Sequence, residues 1–190
     1  MRKELGKLLD ATIREAMRRE MPYFEPWKDA TGGRTMYQFQ PAPGLRLFIY
    51  FQKDPKRDEF TVEIGWSEHD RWPADYMPGM PRDISELRVS RSPPENGEFR
   101  ARLSKFWELP HKDSWWEIVP NHARWESQRA LRQIQPDSTG DNPEPPREIT
   151  LDQARARISP LVDDAIAKLK QFAVPFFEEV TLQHGAVWRT

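Results

Sequence analysis

Four histidines, scattered serines and carboxylates, and no cysteine are what this chain offers for chemistry. His69, His111, His122 and His184 do not pair at a four-residue helical spacing, and no zinc-protease pattern occurs. Glu68-His69-Asp70 sets three ligand-type residues in a row. Enclosing a divalent ion would need further ligands from elsewhere, and polar residues closing a strand account for the trio equally well. Ser104, Ser114 and Ser127 lie near His111 and His122 in sequence. A nucleophile, however, needs an adjacent base and an orienting third group in space. There is no Gly-x-Ser-x-Gly elbow and no phosphate-binding glycine loop. Gly32-Gly33 precedes a strand, where a turn explains it, and Glu178-Glu179 diverge as helix neighbours. The residues therefore nominate no catalytic group, metal or cofactor. Carboxylates distant in sequence can still meet for acid/base work. A hydrolase-type enzyme using cleft carboxylates and histidines is accordingly the alternative function.

The stronger signal is aromatic and basic. Phe99-Arg-Ala-Arg-Leu103 alternates apolar and basic residues, and Asp113-Ser-Trp-Trp-Glu-Ile118 follows it. On a strand, Arg100 and Arg102 share the face opposite Phe99, Ala101 and Leu103. Successive side chains diverge, so Trp115 and Trp116 must meet different surroundings. One is expected in the core, with its N–H satisfied, and the other is the candidate for exposure. Three readings follow for Arg100, Arg102, Asp113, Trp115 and Trp116. The first is structural, with the arginines pairing to Asp113 or Glu117 over a tryptophan-rich core. The second is a protein interface, where tryptophan and arginine are favoured anchors. The third, nucleic-acid binding by charge and stacking, ranks last, because 29 basic against 30 acidic residues leave a net charge of −1. Trp72, in a proline-rich stretch, joins the anchor candidates.

Composition sets the frame. With 190 residues, 37% hydrophobic and 31% charged, the chain suits one elaborated domain with a real core. The absence of cysteine rules out disulfides and thiolate chemistry. No apolar run approaches the roughly 20 residues of a bilayer span. Met1–Asp10 carries acidic residues within its apolar stretch, unlike a signal peptide. A cytoplasmic protein with no membrane partner is expected.

Elements are then read from periodicity. Leu5, Leu8, Leu9, Thr12, Ile13, Ala16 and Met17 recur at three- and four-residue steps, predicting a helix that ends at Met21-Pro22. Its Lys7, Arg14 and Arg18, with Asp10 and Glu15, read as a solvated face. Arg34–Gln40, Leu45–Gln52 and Phe60–Trp66 alternate as strands with short connections, hence an antiparallel meander. Pro43-Gly44 suits a type II turn. Phe48 and Tyr50 make Leu45–Gln52 apolar on both faces, as in a central strand. From Asp70 to Glu98 five prolines break every pattern, predicting a long loop with at most a short helical turn near Ile84–Leu87. Trp107 and Trp125 flank the tandem pair, Asn121–Gln135 reads as helical, and Gln135–Glu148 as a mobile linker. Thr150-Leu-Asp-Gln153 is a capping box. Ser159-Pro160 offers a second helix start, and Val174-Pro175 restarts a final segment with Phe176, Phe177 and Val180.

Arg100-Ala-Arg-Leu103, Asp113-Ser-Trp-Trp-Glu-Ile118 and the late helix Ile158–Val180 together resemble the bacterial "domain of unknown function 4304" family. Phe60-Thr-Val-Glu-Ile-Gly65, after a strand bearing Gln52, fits that family's opening half. Two departures stand out. Glu98-Phe99 occupies the place of a commonly expected histidine, and the two proline-rich loops are expanded. The resemblance implies no catalytic residue. It implies a kinship with toxin-neutralising immunity proteins of bacterial competition systems, an argument by analogy of family. The expectation is a single α+β domain over residues 1–190, with loop 70–98 and linker 135–148. An antiparallel sheet of three to four strands is packed by N- and C-terminal helices. The expected function is non-enzymatic protein binding by surface contact, of immunity or adaptor type, with another protein (a toxin) as partner.

Overall fold

A computed structural model describes residues 1–27, 35–54, 56–73, 97–106, 115–120 and 148–188. Helix α1 spans Lys3–Glu20 and buries Leu5, Leu9, Ile13, Ala16 and Met17, the face its periodicity predicts. The Met21 N–H still donates to the Met17 carbonyl, and Pro22 then ends the helix. The strands are β1 (Glu25–Pro26), β2 (Thr35–Ala42), β3 (Leu45–Lys53), β4 (Glu59–Ser67), β5 (Glu98–Arg102) and β6 (Trp116–Glu117). They form one antiparallel sheet in the order β1-β2-β3-β4-β5, with β6 also paired to β4. β5 runs beside Glu63–Ser67 and β6 beside Glu59–Phe60, so the two share the edge of β4 that β3 leaves open. Gly44, at the β2–β3 turn, has φ +82°, as the second central position of a type II turn requires.

The α+β class and the helix-covered antiparallel sheet are as expected, but the sheet has six strands where three to four were anticipated. The additions, β1 and β6, are two residues long, too short to show a period. β4 is buried on both faces along its length, although only its Phe60-Val62-Ile64-Trp66 stripe announced burial.

Helix α2 (Leu151–Lys168), a π-turn (Leu169–Ala173) and helix α3 (Val174–Gln183) complete the described chain. The capping box is formed. The Gln153 N–H donates to Thr150 Oγ1 at 3.2 Å and the Thr150 N–H to Gln153 Oε1 at 2.8 Å, an arrangement that stabilises a helix start by about 1 kcal/mol. Pro160 is a correction. It starts no second helix but lies inside an unbroken α2 at an exposed position, where it sacrifices one backbone bond and leaves the buried stripe intact. Pro175 does sit at the start of α3.

One face of the sheet, the inner face, holds Tyr37, Leu47, Ile49, Phe51, Phe60, Val62, Ile64, Trp66, Phe99 and Ala101, packed with the buried residues of α1, α2 and α3 into one core. Each buried Leu, Ile or Phe contributes about 1.5–3 kcal/mol of transfer free energy. Burial pushes the Tyr37 hydroxyl up to about 12. Arg155–Glu4 at 2.9 Å and Lys170–Glu20 at 3.0 Å bridge α1 to the C-terminal helices, but exposed pairs of this kind contribute little. Among the described residues no helix is long and apolar enough to cross a membrane. The expected turn at Ile84–Leu87, helix at Asn121–Gln135 and all but the last residue of linker Gln135–Glu148 lie outside the described residues, as do Trp107 and Trp125.

Candidate functional site

The opposite, outer face of the same strands is chemically mixed. Register places Met36, Gln38, Arg46, Phe48, Tyr50, Gln52, Thr61, Glu63, Gly65, Ser67, Glu98, Arg100 and Arg102 on it. Met36, Phe48 and Tyr50 form a second buried cluster with Trp27 and Trp72 packed against it. The two indoles flank Phe48 edge-on, each with its ring centroid 5.5 Å away, the geometry aromatic quadrupoles favour.

Three arginines cover three tryptophans here. The Arg46 guanidinium lies 4.9 Å from the Trp27 ring centroid, Arg100 lies 5.2 Å from Trp72, and Arg102 lies 5.2 Å from Trp115. Each such stack is worth about 0.5–2 kcal/mol, depending on desolvation. All three tryptophans and all three arginines are half-buried. Carboxylates hold two of these arginines, Arg46 and Arg100, in place. Glu63, buried on β4, accepts from Arg100 Nε at 2.9 Å and Nη2 at 2.8 Å. Arg46 binds Gln38 and Asp70. Glu98 is 3% exposed and accepts from Arg71 Nε at 2.7 Å and from the Ser67 hydroxyl at 3.3 Å.

A strap positions Trp72. Residues Glu68–Pro73 leave β4 and lie back over the outer face, Asp70 adopting φ +56° at the bend. Gly65 permits the close approach: a Cβ there would meet the Phe99 carbonyl oxygen at 2.7 Å and Pro73 Cγ at 3.2 Å. The root of the strap is tied to β5 by the Glu68 N–H, which donates to the Gly97 carbonyl at 2.9 Å.

The tandem tryptophan divides across the sheet. Trp116 is 6% exposed on the inner face, stacked on Phe60 with centroids 5.4 Å apart and rings 13° from parallel. Its Nε1–H donates to Asp164 on α2 at 2.8 Å. Burial acts to raise the Asp164 carboxyl, but hydrogen bonds from Lys168 and Trp116, with the Lys168 charge, outweigh it and hold the group below the usual range. Trp115, one residue earlier, lies under Arg102 on the other side.

Of the residues singled out from sequence, Trp72, Arg100, Arg102 and Trp115 are brought to one face, and Trp116 is not. Asp113 lies outside the described residues. Arg100 pairs with Glu63 of the neighbouring strand, a partner the sequence did not nominate. The Glu68-His69-Asp70 trio separates, Glu68 meeting His184 and Asp70 meeting Arg46. Among the described residues no three His, Asp or Glu side chains are grouped to hold a metal ion. Sequence reasoning missed Trp27, Arg46, Glu63 and Glu98. Arg46 was legible, since it shares its face with Phe48 and Tyr50 at period two. Trp27 follows a two-residue strand and carries no periodic signal.

No family model, curated protein or solved structure matches the chain. The site must therefore be read from its own geometry.

Proposed function

We propose that this chain is a non-enzymatic bacterial binding protein of the toxin-neutralising immunity or adaptor kind, acting by surface contact through the outer face of its sheet. The observation that supports this reading is the three arginine-stacked tryptophans, Trp27, Trp72 and Trp115, set half-buried on one sheet face. Tryptophan and arginine dominate the binding energy of protein interfaces when held rigidly with their stems desolvated. Here Glu63 and Asp70 fix the guanidinium planes in advance, so less side-chain entropy is lost on contact. The resemblance to the "domain of unknown function 4304" family and its immunity-protein kinship points the same way. A chain without cysteine suits a cytoplasmic site of action.

The test is titration calorimetry with the purified product of any toxin gene found beside this one. Trp72→Ala and Arg102→Ala should each weaken binding by about tenfold or more at a temperature where both variants are fully folded. Undiminished binding in both variants would sink the assignment of the surface.

A second reading has one observation in its favour. Glu59 and Glu117 stand directly opposite each other across the β4–β6 pair, and Glu59 is 1% exposed. Facing carboxylates are unfavourable unless a cation or proton intervenes, and Arg57 Nη1 approaches Glu59 Oε1 at 3.5 Å. A hydrolytic enzyme would use such a pair. Any hydrolase activity that survives both Glu59→Gln and Glu117→Gln removes this reading.

A further inference from the structure

Helix α1 divides its charges between two sides. Most of its acidic residues are engaged within the fold. Glu4 meets Arg155 at 2.9 Å, Asp10 accepts from Lys53 at 2.8 Å and from the Thr35 hydroxyl at 2.9 Å, and Glu20 meets Arg19 at 2.8 Å and Lys170 at 3.0 Å. Lys3, Lys7, Arg14 and Arg18 are different. All four are exposed, and among the described residues none of their side chains has an ion pair or hydrogen bond. At 100° per residue they fall within about 60° of the helix circumference, and they run about 22 Å along its axis. Glu15 stands at the margin of this stripe, one carboxylate beside four cations.

The fold itself gains nothing from the arrangement. Lys3 and Lys7, like Arg14 and Arg18, are equal charges four residues apart, which weakens a helix. Lys3 also stands in the first turn, where the helix dipole disfavours a cation. An anion laid along the stripe would relieve both. The stripe also faces away from the sheet, because α1 commits Leu5, Leu9, Ile13, Ala16 and Met17 to the inner-face core. It therefore lies across the core from the tryptophans of the outer face.

Charge and shape together select the kind of anion. The chain as a whole carries −1, so the surface outside these four cations is net acidic and opposes an extended polyanion such as a nucleic acid. α1 carries no aromatic ring on which a base could stack. A helix that lies in a membrane keeps its apolar face for lipid, whereas that of α1 is buried. A compact run of carboxylates on another protein meets the cations alone, and Leu8, 39% exposed beside them, adds an apolar contact. We infer that the exposed side of α1 is a second docking surface, which takes an acidic segment of a partner protein along the line of Lys3, Lys7, Arg14 and Arg18. It does not rest on the outer face being a contact surface.

Fluorescently labelled poly-L-glutamate is the probe, titrated with the full chain and read by anisotropy. Salt of about 10 mM gives a Debye length of about 30 Å, longer than the stripe. Under these conditions the wild type should bind, and binding should fade as salt rises to about 0.2 M. Lys7→Gln with Arg14→Gln should weaken binding about fivefold or more. Lys56→Gln with Arg57→Gln removes the same charge from the exposed β3–β4 turn and should weaken it less than about twofold. Glutamine preserves helix propensity, so circular dichroism should show the α1 variant folded. A labelled DNA duplex and vesicles of phosphatidylserine with phosphatidylcholine are the rival probes. Failure of the wild type to bind poly-L-glutamate overturns the inference, as does an equal loss in the two paired variants. Stronger binding to the duplex or to the vesicles overturns it as well.

Discussion

The two faces of the central sheet are built from the same strands and do opposite things. The inner face is mainly apolar and continuous with three helices, and the Trp116 N–H within it is met by Asp164. The outer face mixes indole, guanidinium and carboxylate, and its small aromatic cluster is covered by charged side chains. Trp115 and Trp116 show the difference within two residues. Identical side chains, one position apart, become a core anchor and an arginine-stacked surface ring because strand geometry sends them to opposite sides. A residue's type thus says less about its role than which side of β4 it reaches.

The sharpest way to break this contrast is to truncate both rings. Trp116→Ala should lower stability by about 3–5 kcal/mol, and Trp115→Ala by less than about 1 kcal/mol, measured as urea midpoints at constant slope. Equal losses would mean that the faces are not different in kind. Next in size is Gly65→Ala. The added methyl meets a backbone oxygen of β5 as well as Pro73, so relief requires the strap or the strand to move, costing about 1–3 kcal/mol. An unchanged midpoint would show that the strap does not pack as closely as described. A double-mutant cycle on Arg100 and Trp72 should then give a coupling of about 0.5–1 kcal/mol. A coupling of zero would remove the claim that the guanidinium is bound to the ring it covers. The smallest effect belongs to the inner face. Because the Asp164 carboxyl is held low, its stabilisation is present above the ordinary aspartate range and lost as pH falls through its lowered value. The side chain is 48% exposed, so solvent screening keeps the effect below about 0.5 kcal/mol. Asp164→Asn should flatten that part of the acid stability profile, and an unaltered profile would detach Asp164 from the setting of Trp116.

The inner face was largely legible in the sequence. Leu5, Leu9 and Ile13 recur with the helical period, the β2–β4 stripes alternate, and Thr150 with Gln153 spells its own cap, all signals carried within one element. The division of the tandem tryptophan was legible for the same reason. The outer face was harder to read because its chemistry is decided between elements. Arg100 finds Glu63 only once the β4–β5 register is known, and Arg46 finds Asp70 only once the chain bends at a residue with positive φ. β1 and β6 left no trace, since two residues complete no period. The Trp27 ring, which β1 delivers to the face, went unread with them.

The π-turn at Leu169–Ala173 settles a matter of phase. An α-helix advances about 100° per residue, so an unbroken helix would point Val180 roughly 80° away from the direction of Ala154. Holding one extra residue in the wide turn takes back about one such step, and both side chains are buried in the same core. The wider turn also stands immediately before Pro175, whose ring would press on the carbonyl of the preceding turn in a regular helix. A length change here is therefore expected to disturb the packing less than one in the middle of α2. Deleting one residue between Leu169 and Ala173 trades the π-turn for an α-turn and leaves both flanking faces on the sheet, whereas the same deletion at Ile158 would rotate everything after it out of register.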